Sequence, residues 1–456
     1  MRKRSFIISI LAAGMMLAGA MTSYATGWEQ SSGGWRYVDK NGSYVTDQWQ
    51  KGDDNLWRWL GSDGYMAYST WVDDTYYIGD NGVMVTGKWL QITGDDGTFW
   101  YHFSESGKKS VNKWETISGS KYHFDDNGRM ETGWILDDTY YCDANGVMKT
   151  GWALLKDPTD TEEEGPSTTP TTTSDDTHWY YFLSSGKKFT PEISGTDNYA
   201  ERRIDGTKYC FDADGKLQTG WVNFADSDIS GISNYRFFND DGTARTGWYS
   251  YYPPDDIEGA YENSVMWFYF SSDGRPKCDK DGRLSANEIV KLNGKQYLFN
   301  ENGNPVYGLQ KVYDSATSES WHTYYFGTYT VCNVQTGKFS LEESSGEKCS
   351  YYFASNGRGY DGVKDGYLYY NGKIQKAEAG TKYQIISIPE SSSYGGYKNY
   401  LVNTSGKVAK SKTDVKDDDG VRYTTDSSGI VVFIDDDLVD DDVMLGKAPS
   451  EPDFNN

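Results

Sequence analysis

Tryptophan recurs along this chain at Trp28, Trp49, Trp71, Trp89, Trp114, Trp134 and Trp152. The steps are about 20 residues, the length of one supersecondary unit. A chain repeated at that period folds as a row of small units, because each unit can bury its apolar face only against its neighbours. One copy runs from Thr132-Gly133-Trp134 through Thr139-Tyr140-Tyr141 and a turn at Asn145-Gly146 to Val147-Met148, and reaches the next copy at Thr150-Gly151-Trp152. The pattern resumes at Gly220-Trp221 and Gly247-Trp248.

Each copy reads as a β-hairpin. Aromatic strands such as Tyr122-His123-Phe124 are followed by Asp126-Asn127-Gly128, and Asp80-Asn81-Gly82, Asn145-Gly146 and Asp240-Asp241-Gly242 fall at the same place in other copies. Asn-Gly and Asp-Gly supply the positive φ angles of tight turns. A short segment with Met84, Met130, Met148 or Leu217 follows. A lone hairpin is marginal in water, so the rings must pack between successive hairpins. The expected fold is all-β, an elongated β-hairpin solenoid of about 20-residue repeats. Asp73-Asp74 and Asp137-Asp138 recur at one loop of the repeat and read as turn chemistry, not as an acid/base pair.

Composition agrees. Hydrophobic residues make up 37% of the 456-residue chain and aromatics 16%, with 38 Tyr and 16 Trp. Large cores are normally aliphatic, whereas one ring covers much area in thin β structure. The net charge of −23 disfavours nucleic acid and suits a cationic or neutral ligand. Five cysteines, Cys142, Cys210, Cys278, Cys332 and Cys349, are widely spaced without a CxxC or Cys/His cluster, so no zinc site is expected and most read as packed thiols. The sequence carries no HExxH, GxSxG, SxxK or phosphate-loop motif. His102 and His123 lie within aromatic strands of the repeat. No catalytic residues, metal or cofactor are expected.

Basic Met1-Arg2-Lys3-Arg4, an apolar run from Phe6 to Met21 and small residues at Ser23 and Ala25 read as a signal peptide over 1–25. Well-matched repeats span 26–156 and looser ones 178–375. Between them, 157–177 is rich in Thr, Pro and Glu and reads as a long loop on the array or a hinge between two arrays. Residues 376–456 read as a degenerate β segment with an acidic tail, where the runs Asp417-Asp418-Asp419 and Asp440-Asp441-Asp442 lack the ligand spacing of a calcium loop.

The succession GW, loop, WYY, Gly-containing turn, M, TGW resembles the choline-binding, or cell-wall-binding, repeats, which are related to the repeats of glucan-binding proteins and of clostridial toxin C-termini. It is close from Gly27 to Trp152 and looser to about Gly372. The resemblance implies aromatic cages between consecutive hairpins, with Met closing some of them. Carried over, the groups are Trp28 with Trp35 and Trp49, Trp49 with Trp57 and Trp71, and Trp89 with Trp100 and Trp114. Two looser groups are Trp71 with Tyr77, Trp89 and Met84, and Trp134 with Tyr141, Trp152 and Met148. The first WYY position is Thr75, Lys121, Thr139 or Lys208 in other copies, and a lysine facing a cage repels a quaternary cation. The resemblance implies a secreted, non-catalytic surface protein of a Gram-positive cell, held by choline-bearing teichoic acid or a related wall polymer. The alternative is binding of glucan or host glycan, because sugars also stack on Trp and Tyr.

Overall fold

The computed structural model describes residues 26–158, 177–193, 198–225, 231–255, 257, 264–390, 395–440 and 443–454. The expected signal peptide, most of the Thr/Pro/Glu-rich segment and Asp441-Asp442 lie outside the described residues. The described residues are all-β: antiparallel strands, mostly in two-stranded sheets, with no α-helix and no closed barrel. None forms a helix long and apolar enough to cross a membrane. The chain divides into two units, Met1–Phe189 and Thr190–Asn456.

The first unit is a run of hairpins, numbered here in chain order. Hairpin one pairs Gly27–Ser31 with Gly34–Val38, two Gln48–Lys51 with Trp57–Leu60, and three Thr70–Val72 with Tyr76–Ile78. Four pairs Lys88–Gly94 with Gly97–Phe103, and five Lys113–Ile117 with Ser120–Phe124. Six pairs Gly133–Ile135 with Tyr140–Cys142. Seven pairs Gly151–Lys156 with Thr177–Phe182, so the Thr/Pro/Glu-rich segment connects two strands of one hairpin. The acid-rich turn of hairpin three has φ +51° at Asp73 and +48° at Asp74, and that of hairpin six has +52° at Asp137 and +57° at Asp138. Short polar side chains tolerate this region best after glycine.

After its second strand each hairpin turns at a glycine and adds one bridging residue: Leu60 faces Met66, Ile78 Met84, Phe103 Lys109, Phe124 Met130, Cys142 Met148 and Phe182 Lys188. We call the second of each pair the third-segment residue. Its N–H donates to the preceding hairpin: Met66 to the Trp35 carbonyl (2.7 Å), Met84 to Trp57 (2.8 Å), Lys109 to Thr75 (3.0 Å) and Met130 to Trp100 (2.8 Å). Met148 bonds Lys121 (2.9 Å) and Lys188 bonds Thr139 (2.7 Å) in the same way. These bonds set each hairpin's register on the last. The turn glycine is required: Gly107 has φ +82°, and a Cβ there would lie 2.7 Å from Met84 Cε. Leu60, Ile78, Phe103, Phe124, Cys142 and Phe182 are fully buried and form the apolar spine. Each is the last strand residue before the turn.

The second unit opens with further hairpins, including Tyr199–Ile204 with Thr207–Asp212, Gly220–Asn223 with Tyr235–Phe238 and Gly247–Tyr251 with Met266–Phe270. Its third-segment residues include Leu217, Ala244, Pro276 and Pro305. Farther on, Gly337–Glu342, Lys348–Phe353, Lys373–Ile374, Tyr367–Tyr370 and Gly362–Lys364 form one five-stranded sheet in that order. Beyond residue 376 the chain is also strand-forming, with Gln384–Pro389 paired to Tyr397–Val402 and a four-stranded sheet that includes Val431–Ile434. The core there is largely aliphatic, built on Leu368, Ile386, Ile388, Val402 and Val408.

Candidate functional site

The GW tryptophans sit on first strands, and those from Trp49 to Trp134 face the following hairpin. Each lies opposite an aromatic of its own second strand: Trp28 opposite Tyr37, Trp49 opposite Trp59, Trp71 opposite Tyr77, Trp89 opposite His102, Trp114 opposite His123, Trp134 opposite Tyr141 and Trp152 opposite Tyr181. Each from Trp49 to Trp134 also meets a ring of the next hairpin. The centroid separations are 5.2 Å for Trp49–Tyr76, 5.0 Å for Trp71–Tyr101, 4.9 Å for Trp89–Tyr122, 5.1 Å for Trp114–Tyr140 and 5.0 Å for Trp134–Tyr180. Most are edge-to-face, a geometry worth about 0.5–1.5 kcal/mol beyond buried area. At Trp28 the partner position holds Arg58, whose guanidinium lies 5.9 Å from the indole. Hydrogen-bonded to Asp54, that guanidinium holds the Asp54 carboxyl well below the usual range.

The GW tryptophans are half-buried, so they hold hairpins together and still present a face. Trp35, Trp57, Trp100 and Trp179, at the first WYY position, are 36%, 40%, 43% and 43% exposed. A wall this open is not needed for packing. Trp28 and Trp35 line one cleft of 440 Å³ with Met66, Tyr68, Asp53 and Asp54. It has ring faces, a thioether, two carboxylates and the Arg58 guanidinium. A second cleft of 350 Å³ is lined by Trp71, Asp74, Tyr101 and Lys109. The two are built alike: a GW tryptophan from one hairpin, the third-segment residue of the next, and the turn of the one after, Asn81 in the first and Asn127 in the second.

This geometry regroups some of the expected site residues. Trp28 and Trp35 share a cleft, but Trp49 does not line it and packs on Trp59 and Tyr76. Tyr77 packs on Trp71 at 5.1 Å and lines the Trp71 cleft with it, as grouped, and Tyr141 packs across its own hairpin on Trp134 at 5.4 Å. Met84 bonds through its backbone to Trp57 and Met148 to Lys121, one hairpin earlier than the sequence grouping with Trp71 and Trp134. In the clefts of Trp71 and Trp134 that station is held by Lys109 and Lys188. Trp57 and Trp100 stand beside the third-segment residues Met84 and Met130, and Trp114 packs on His123 and Tyr140. The sequence reading missed Tyr76, Tyr101, Tyr122, Tyr140 and Tyr180, the middle residues of the WYY strand. Their signal was the period-two alternation that points them away from their own strand neighbours.

The remaining candidates have structural partners. His123 is buried and hydrogen-bonded to Glu131, and His102 meets Glu115 at 3.2 Å. Cys142, Cys210 and Cys349 are buried and free, and burial pushes the Cys142 thiol up to about 12. Asp417 accepts from the backbone of Asp419 and Val421 and from the Tyr423 hydroxyl, as a turn residue does. Among the described residues no group of three or more His, Cys, Asp or Glu is placed to hold a metal.

Residues 111–152 match a family described as choline-binding repeat, and 174–188 one described as putative cell wall binding repeat. Over 107 residues, 23% of this chain, the sequence is 28% identical to glucosyltransferase-I of Streptococcus downei and covers 7% of that enzyme's length. Among solved structures, the modular autolysin LytC of Streptococcus pneumoniae aligns with TM-score 0.38 and 18% identity over 61% of this chain and 52% of that one. The choline-binding domain of CbpL from the same species aligns with TM-score 0.32 and 23% identity, over 48% of this chain and 97% of the domain. The chain thus spans about half of the autolysin and a small fraction of the glucosyltransferase. The hairpin segments within 111–152 and 174–188 are thus similar to repeats of the choline-binding, or cell-wall-binding, family.

Proposed function

We propose that this is a secreted, non-catalytic protein whose hairpins stack as a solenoid and whose inter-hairpin clefts take choline-bearing polymers of a Gram-positive cell wall. The cleft of Trp28, Trp35, Met66 and Tyr68 supports this reading best. Ring faces are negative at their centres, and a quaternary ammonium gives up little hydration on entering, for a gain of about 0.5–2 kcal/mol per ring. The thioether of Met66 is a soft apolar lid, and Asp53 adds negative potential at the mouth, Asp54 being paired with Arg58. By the same construction Trp49 with Trp57 and Met84, and Trp89 with Trp100 and Met130, are further cation clefts. Several weak sites on one chain give firm retention on a polymer that repeats its ligand.

A glucan or other sugar is the second reading, favoured by the match to a glucosyltransferase and by the capacity of exposed indoles to stack on sugar rings. Titration of tryptophan fluorescence with choline and with a panel of wall sugars separates the two. Choline at millimolar concentration is expected to shift the emission. An unchanged signal with choline beside a shift with a sugar overturns the first reading in favour of the second.

A further inference from the structure

We propose that Lys109 and Lys188 are tethered ligands of the clefts they line, so that the clefts at Trp71 and Trp134 are filled from within and take no external quaternary ammonium. The ammonium of Lys109 lies 4.9 Å from the centroid of the Trp71 ring. It donates to Asp74 Oδ1 at 2.8 Å and to the Asn127 carbonyl at 2.9 Å, and the side chain is only 6% exposed. The ammonium of Lys188 lies 5.1 Å from Trp134 and 5.6 Å from Tyr180, the ring that Trp134 packs against. Each cation thus sits over a GW tryptophan, where the proposed function places the head of a choline.

Position makes this more than a surface contact. Lys109 and Lys188 occupy the third-segment station that Met66, Met84, Met130 and Met148 occupy elsewhere in the first unit. Each hydrogen-bonds to a threonine, Thr75 or Thr139, where the Met66, Met84 and Met130 clefts have Trp35, Trp57 and Trp100. The two exchanges occur together: methionine to lysine at the lid, and tryptophan to threonine at the outer wall. Each of these threonines follows an acid-rich two-residue turn, and in the first case that turn supplies the Asp74 carboxylate. Among the described residues two other cations lie over cleft tryptophans, Arg58 at 5.9 Å from Trp28 and Lys51 at 5.0 Å from Trp57, but neither stands at the third-segment station. A side chain on a short tether competes at an effective concentration in the millimolar range or above, without the entropy cost a free ligand bears. A millimolar external cation does not displace it. At the clefts of Trp71 and Trp134 the third-segment residue is therefore the group that fills the site: lysine closes it from within.

This rests on reading the clefts as cation sites, and the test keeps the two apart. Calorimetric titration of the full chain with choline gives the number of wild-type sites. Lys109→Met and Lys188→Met are each expected to add one site, the double variant two, and Met130→Lys to remove one. An unchanged stoichiometry in the double variant, with wild-type circular dichroism and melting, overturns the proposal. Lys109→Gln and Lys188→Gln keep the side-chain length without the charge, and replace the methionine exchanges should those not fold. A wild type that binds no choline refutes the cation-site reading instead. Occupancy then stands or falls on lysine-selective NMR of the ligand-free protein. Ring-shifted ε-methylene protons for Lys109 and Lys188, lost in the Gln variants, support it, and unshifted protons overturn it.

Discussion

The two units handle the same hairpin contact differently. In the first, the GW station is a ring from Trp28 to Trp152, and the next hairpin answers with a tyrosine in most cases. In the second, the corresponding station of the Tyr199–Ile204 hairpin holds Glu201, opposite Cys210. The next hairpin answers with Arg236, 2.5 Å from Glu201, while Lys208 closes from the side at 2.8 Å. All three side chains are largely buried. An ion pair has replaced a ring pair on an unchanged backbone. Farther along, Trp221 and Trp248 restore the ring contact against Phe268 and Tyr297, but the third-segment residues are now Ala244, Pro276 and Pro305. Stacking hairpins therefore needs a filled and satisfied contact, not specifically a tryptophan. The exposed outer tryptophan and the methionine lid, concentrated in the first unit, are what packing alone does not demand.

The largest expected effect tests what the units share. Phe124→Ala and Phe238→Ala each delete a fully buried ring of the spine, and each is expected to cost about 3–5 kcal/mol in denaturant unfolding. A cost below 1 kcal/mol in either would show that its spine is not the core. Next, Glu201→Trp strands two buried cations and is expected to cost about 3 kcal/mol. Adding Arg236→Tyr rebuilds the ring pair and is expected to recover most of that loss. If the double variant is no more stable than the single one, the stations of the two units are not equivalent.

Smaller effects sharpen the contrast. Gly107→Ala forces a side chain into φ +82° and against Met84, for a loss of about 1–2 kcal/mol in thermal melts. Trp100→Ala is expected to leave stability within about 0.5 kcal/mol, because the ring is exposed, and to weaken choline binding at its cleft roughly tenfold. The exposed Trp267 of the second unit lacks a methionine lid, and Trp267→Ala is expected to leave binding unchanged by the same titration. The last contrast is with pH. Cys142 has its folded thiol pushed up to about 12, against about 8.5 for a free thiol. Its contribution to stability is whole below the unfolded value and falls as pH rises from about 8.5 toward 12. Cys142→Ala is expected to flatten that alkaline limb in melts followed from pH 7 to 11.

The repeat, the turns and the all-β class were legible in the Trp, Asn-Gly and Tyr-Tyr spacings, because neighbour packing imposes them on every copy. The grouping of residues into clefts was only partly legible. Trp28 and Trp35 are close in sequence and share a cleft, but Met84 is closer in sequence to Trp71 than to the Trp57 it bonds. Only the backbone bonds between hairpins show which methionine belongs to which tryptophan. Lys109 and Lys188 look like ordinary surface lysines until that register is known. Glu201 was equally hidden, since nothing in Tyr199-Ala200-Glu201 reads as a degenerate Thr-Gly-Trp.

The bonds from Met66, Met84, Lys109, Met130, Met148 and Lys188 to the preceding hairpin have one more consequence. Each involves only main-chain atoms and is the same whatever the side chain. The main-chain part of these junctions thus carries no side-chain specificity, and what a duplicated or deleted copy must still match is the ring or ion pair at its contact, as Glu201 and Arg236 do. Where that contact is the common tryptophan–tyrosine pair, one copy can take the place of another without a compensating change.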